Sequence, residues 1–151
     1  MKKLFAALVV FAMILSLTAC GGSPKLHEVA GGVITASIPS DWCFVSGTDM
    51  NGAAGSDYIC HTDKFEIGDP YLQVMHEMQN RSIEDLNELF ESETVYGKYI
   101  GSFTLGETTW YTAEAACAGI IDDKVCLVLS YECDFENSEV QAILGSLRWA
   151  T

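Results

Sequence analysis

From Val33 onward, apolar residues recur mainly with a period of two, in short β-branched runs closed by turn residues. Val33-Ile34-Thr35-Ala36-Ser37-Ile38 follows Gly31-Gly32 and ends at Pro39-Ser40-Asp41, which predicts a first strand and a turn. Trp42-Cys43-Phe44-Val45 predicts a second short strand, Asn51 to Gly55 a Gly- and Ala-rich loop, and Tyr58-Ile59-Cys60 a third strand. Behind Gly68-Asp69-Pro70, the segment from Tyr71 to Met78 puts Leu72, Val74, His76 and Met78 on one face and Tyr71, Gln73, Met75 and Glu77 on the other. Neither face is clearly polar, which suits a strand covered on both sides.

Twice the period lengthens to that of a helix. Ser82-Ile83-Glu84-Asp85 combines a Ser N-cap with acids in the first turn, and Ile83, Leu86, Leu89 and Phe90 then form an apolar stripe. Ser138-Glu139-Val140-Gln141 has the pattern of a capping box opening a second helix, whose Val140, Ile143, Leu144 and Leu147 point one way. Between the two, Tyr96 to Leu105 and Thr108 to Ile121 read as strands joined near Gly106-Glu107. Asp122-Asp123 makes a tight turn, and Val125 to Cys133 is the most strongly β segment. Strands, helix, a three-strand meander and a closing helix predict an α+β domain, with an antiparallel sheet of about six strands covered by helices.

The first twenty residues belong to none of this. Lys2 and Lys3 precede an apolar run from Leu4 to Leu17, broken only by Ser16. At about 14 residues that run is shorter than the ~20 of a membrane span and has the form of an export signal. Leu17-Thr18-Ala19-Cys20 resembles the lipobox of bacterial lipoproteins, and the resemblance implies that Cys20 is diacylated and becomes the new N-terminus. Two acyl chains suffice for stable anchoring. The expected organisation is a signal peptide over 1–19, a lipid anchor and short Gly-Gly-Ser-Pro tether over 20–25, and a single domain over 26–151. This places the protein on the extracytoplasmic face of a membrane.

Charge narrows the partners. The full chain carries 21 acidic and 8 basic side chains, a formal charge of −13. Removing residues 1–19 takes away two lysines and no acid, which leaves −15. Lys25, Lys64, Arg81, Lys98, Lys124 and Arg148 stand singly along the chain, not in the clusters that neutralise phosphates, so nucleic acid is excluded as a partner.

Four features together resemble the PsbP-like, Mog-type α/β/α sandwich found in many small bacterial lipoproteins. They are the opening Ile38-Pro39-Ser40-Asp41-Trp42, the helix from Ser82 to Ser92, the Gly-bounded strand pair carrying Trp110-Tyr111, and the closing Ile143-Leu144-Gly145-Ser146-Leu147. The resemblance covers about residues 30 to 149. It implies a helix-covered sheet and a non-catalytic accessory or binding role. No site residue follows from it, because none of the matching positions is a reactive group.

Five cysteines remain besides Cys20, in a compartment where disulfides persist. Cys43 and Cys60 lie on neighbouring short strands and are the expected bridge. A turn at Asp122-Asp123 sets Gly119 opposite Cys126 and Thr112 opposite Cys133, so that Cys117 and Cys126 share a face as diagonal neighbours while Cys133 faces the other way. Those three either include a Cys117–Cys126 bridge or are small buried apolar side chains. No CxxC spacing supports a redox motif or a zinc ribbon.

His27, His61 and His76, with Cys60, Asp63 and Glu77, match no zinc spacing, and no metal is expected. The run from Asp134 to Glu139 lacks the glycine and rhythm of a calcium loop and reads as helix capping. No nucleophile motif or phosphate-cradling loop is present, so no catalytic residue or cofactor is assigned. Trp110 and Tyr111 point to opposite faces of their strand and are the candidate partner-binding pair, against the alternative that both pack in the core. The reading is a non-enzymatic lipoprotein that binds a partner protein or envelope component. The alternative is a lipoprotein binding a small ligand or metal cation for uptake or sensing, its acidic field gathering cations.

Overall fold

The β-branched runs do form strands, and one further strand precedes them. The computed structural model describes residues 25–30, 32–47, 55–76, 84, 90 and 96–150. Within these lie β1 (Leu26–Ala30), β2 (Ile34–Pro39), β3 (Cys43–Ser46), β4 (Ser56–Cys60), β5 (Tyr71–Met75), β6 (Tyr99–Leu105), β7 (Thr108–Ala113), β8 (Ala116–Ile121), β9 (Lys124–Tyr131), α1 (Ser138–Ser146) and β10 (Arg148–Trp149). Every pairing is antiparallel. A seven-stranded sheet runs in the order β3-β4-β5-β9-β8-β7-β6, and a three-stranded sheet in the order β1-β2-β10.

This overturns the expected α+β sandwich and, with it, the helix-covered sheet implied by the PsbP-like resemblance. The protein is mostly β. What lies against the inner face of the large sheet is chiefly a second sheet, accompanied by the short helix α1. One continuous core contains Ile34, Ala36 and Ile38 of β2, Leu72 and Val74 of β5, Trp110, Cys117, Cys126 and Val128 of β7–β9, and Val140, Ile143 and Leu144 of α1.

Two local features account for the difference. Leu26–Ala30 is almost wholly exposed, so no apolar alternation marks it, yet it pairs along its whole length with β2. The expected strand from Thr108 to Ile121 is broken at Glu114-Ala115 into β7 and β8, which makes the meander four strands long. Thr112 therefore pairs with Cys117, and Cys133 lies beyond the end of β9, after Glu132, whose φ of 56° redirects the chain. Cys133 packs against the main core, where the sequence reading had it facing away.

Other expectations hold. Asp122 and Asp123 have φ of 50° and 61°, the backbone of a type I′ hairpin turn, and they join β8 to β9 with Gly119 opposite Cys126. β5 is interior to the large sheet, with Leu72 and Val74 buried. α1 buries Val140, Ile143 and Leu144 as its stripe requires, but its cap is Asn137, one residue earlier than read from the sequence. Asn137 Oδ1 accepts from Glu139 N at 2.8 Å and Val140 N at 3.4 Å. Most of the segment expected as the middle helix lies outside the described residues; Glu84 and Phe90 are helical, and Phe90 is fully buried against Ala113, Ala116, Ala118, Val125 and Leu127 on the outer face of the large sheet.

The two sheets are joined by one buried carboxylate. Asp57 of β4 is completely buried and accepts from Val33 N at 2.8 Å, Ile34 N at 3.3 Å and Gly47 N at 3.4 Å. His76 Nε2 lies 3.1 Å from Asp57 Oδ2, off the hydrogen-bonding direction. The backbone at Gly32 passes so close that a Cβ there would collide with the Asp57 carboxylate. At the other end, Ser146 Oγ accepts from Ser37 N at 2.8 Å and fastens the last turn of α1 to β2.

Candidate functional site

β6 is the outermost strand of the large sheet, and α1 lies against its inner side, with Gly145 next to Leu105. The hairpin from β6 to β7 turns at Gly106-Glu107 with φ of 60° at Gly106, as a two-residue type II′ turn demands. The ladder runs in register from Leu105↔Thr108 to Gly101↔Thr112 and then shifts by one residue at Ile100. Such a bulge re-aims its side chain, and Ile100 is 66% exposed. Phe103 and Leu105 point inward and pack on the core, while Ser102 and Thr104 are exposed.

Two adjoining grooves follow from this arrangement, and Gln141 of α1 lines both. The first, about 660 Å³, has Ile100, Phe103, Ala113 and Phe135 as apolar lining, with Glu114, Asp134 and Glu136 as its charged groups. The second, about 670 Å³, is lined by Leu105, Ile120 and Ile121 with Glu107, Asp122 and Asp123. Together they form a trough along β6. Each part has the volume of a typical ligand site; the first is apolar with a few polar groups, and the second is mostly polar over Leu105 and Ile120.

The charge of the trough is one-sided. Six carboxylates line it, and the single basic side chain among its lining residues, Arg148, donates from Nη1 to Leu147 O at 2.6 Å and Gly145 O at 3.3 Å. That guanidinium is occupied by the C-terminal carbonyls of α1, where the helix dipole favours a cation. The acids are held by their own local structure. Asp134 Oδ1 accepts from Glu136 N at 2.8 Å, and the Glu114 side chain lies over Gly97, whose φ is 80°. An apolar floor between carboxylates suits a ligand that is apolar along its body and cationic at its tips, and the acidic field raises the rate of encounter.

The residues singled out from the sequence fall elsewhere. Trp110 is fully buried in the main core and Tyr111 half-buried against the outer cluster, so the two do point to opposite faces and Trp110 offers no surface. Cys43 and Cys60 are direct cross-strand partners on β3 and β4. Burial, and next the neighbouring Cys43, push the Cys60 thiol well above its ordinary range; Cys133 is close enough to contribute. Cys117 and Cys126 are diagonal neighbours, and burial raises both thiols, Cys126 to about 12. Cys20 lies outside the described residues.

Of the metal candidates, His27 is exposed on β1, His61 stacks on Trp42 with centroids 4.4 Å apart, and His76 faces Asp57. Glu77 lies outside the described residues. Among the described residues no three His, Cys, Asp or Glu side chains converge as a metal site. Asp134 to Glu139 caps and precedes α1. Nothing in the sequence pattern marks the trough except the uncharged run Tyr99–Leu105, to which the meander brings the carboxylates. The chain matches no family model, no curated protein and no solved structure.

Proposed function

We propose that this protein is a lipid-anchored extracytoplasmic binding module, a lipoprotein that captures a partner protein through the acidic trough between α1 and β6. The observation that carries the reading is the trough itself: an apolar floor at a sheet edge, six carboxylates, and a lone arginine already engaged with the helix end. The lipobox-like Leu17-Thr18-Ala19-Cys20 supplies the anchor, and diacylation of Cys20 holds the domain at the membrane surface. The role is one of binding, with no chemical step assigned to any side chain.

The test is a photo-cross-linking residue in place of Ile100, in the lipidated protein on intact cells. One specific, stoichiometric partner is expected, and its yield falls when Asp134 and Glu136 become lysine. Equal capture from the β1 position Leu26 on the small sheet, or capture indifferent to the charge reversals, removes the trough as the binding surface. Acylation is read separately by labelling with a clickable fatty acid, which Cys20→Ser abolishes.

A further inference from the structure

The outer side of β6 has no strand beside it among the described residues. Exposed sheet edges are ordinarily blunted by charge, proline or shortness. β3, the opposite edge of the same sheet, is four residues long, and the β1 edge of the small sheet carries Glu28. β6 is seven residues long, Tyr-Ile-Gly-Ser-Phe-Thr-Leu, with no charge and no proline, and its single irregularity sits at the Ile100 end. The two-residue turn closes on Leu105↔Thr108. That pair exchanges both of its ladder hydrogen bonds, and so do the alternate pairs Phe103↔Trp110 and Gly101↔Thr112. The N–H and C=O groups of Ser102 and Thr104 therefore face outward, available to another strand.

We propose that β6 is the docking edge for an extended segment of a partner protein that carries lysine or arginine at alternate positions. The segment adds to the seven-stranded sheet as an eighth strand. This deepens, and rests on, the reading of the protein as a binding module. Main-chain hydrogen bonds to Ser102 and Thr104 give affinity, and side chains on one face of the added strand give specificity. Because the period of a strand is two, every second residue of that segment lies on the side of Phe103 and Leu105 and enters the trough. There Glu114, Asp134 and Glu136 meet it at one end, and Glu107, Asp122 and Asp123 at the other. The apolar stems of lysine and arginine lie along the floor while their charged ends reach these carboxylates. Charge also argues against a second copy of the chain as occupant, since each copy carries −13.

The test uses the full lipidated chain in phosphatidylcholine nanodiscs and a fluorescent decapeptide of alternating lysine and valine, followed by anisotropy. Two further peptides carry an N-methyl group on every second backbone nitrogen, one in each register; they keep the charge but cannot donate along one edge. The expected result is saturable binding that weakens at least tenfold for at least one methylated register. Binding also weakens at least tenfold when glutamate replaces lysine. Thr104→Pro, which removes an outward N–H from an edge strand without breaking the ladder, weakens it to the same extent.

Binding of both methylated peptides within twofold of the parent overturns the added strand and leaves only charge attraction. No binding of the lysine–valine peptide, together with a partner captured through Ile100, overturns this inference while the binding reading stands. Loss of capture at Ile100 removes that reading as well. Dimerisation of the free protein that Thr104→Pro abolishes assigns the edge to a second copy and overturns the proposal.

Discussion

Replacing Asp57 with alanine withdraws the acceptor shared by the entry to β2 and the end of β3. The bond from Val33 N, at 2.8 Å to a buried carboxylate, is of the charge-assisted kind worth about 1.5–3 kcal/mol. Those from Ile34 N at 3.3 Å and Gly47 N at 3.4 Å are long, and about 0.5 kcal/mol each is appropriate. Losing all three gives about 2.5–4 kcal/mol, a large share of the roughly 5–15 kcal/mol that a domain typically holds. The assay is urea unfolding followed by the fluorescence of Trp42, Trp110 and Trp149, all buried. The midpoint should fall by roughly 1.3–2 M at an m of about 2 kcal/mol/M.

A second substitution isolates the cause. Gly32→Ala alone should destabilise by about 1–3 kcal/mol, because its Cβ meets the Asp57 carboxylate. In the Asp57→Ala background the same change should cost almost nothing, a coupling characteristic of groups in contact. A midpoint shift below about 0.5 M for Asp57→Ala, or additive effects of the two changes, would refute the carboxylate as the joint between the sheets.

Three further outcomes are expected. Asn137→Ala should cost about 1 kcal/mol in the same assay, since it removes the side-chain acceptor for Glu139 N and Val140 N. Peptide mapping of the protein isolated under oxidising conditions should link Cys43 to Cys60, and reduction should cost about 3 kcal/mol through the opened loop. In reductant, stability should be constant to about pH 8.5, where unfolded thiols begin to ionise, and should fall as the pH rises further. Cys117, Cys126 and Cys133 are held protonated by burial, Cys126 up to about 12 and Cys133 up to about 11, so above that onset the folded chain binds more protons than the unfolded one. Urea midpoints at pH 7.5 and pH 10.5 would decide it, an equal value refuting the thiols as the source.

What could be read from the sequence was local. The stripe Val140, Ile143, Leu144 and the turn at Asp122-Asp123 are written in neighbouring residues, and both are found where expected. β1 was invisible because Leu26–Ala30 is an exposed edge whose partner, not its own pattern, makes it a strand. The break at Glu114-Ala115 was hidden because it falls in the alanine-rich stretch from Ala113 to Ala118, with no glycine or proline to mark it. Helices were expected over the sheet because two strong helical periods were present, whereas β10, only Arg148–Trp149, carries no pattern at all. The trough joins Ile100, Glu114, Asp134 and Gln141, which no spacing relates. That Cys43 and Cys60 lie opposite each other was legible because their strands are consecutive in the chain.

The pairing of Trp149 with Ile34 spans 115 residues, and α1 is fastened to β2 across a similar separation by Ser146 and Ser37. The small sheet thus needs the first and last parts of the domain together, a contact topology that slows folding. A chain emerging from the ribosome with its amino end first cannot complete that sheet until residue 149 is out. Up to that moment β2 lacks β10 and the helix that cover it, so the last residues to be made are the ones that close the domain.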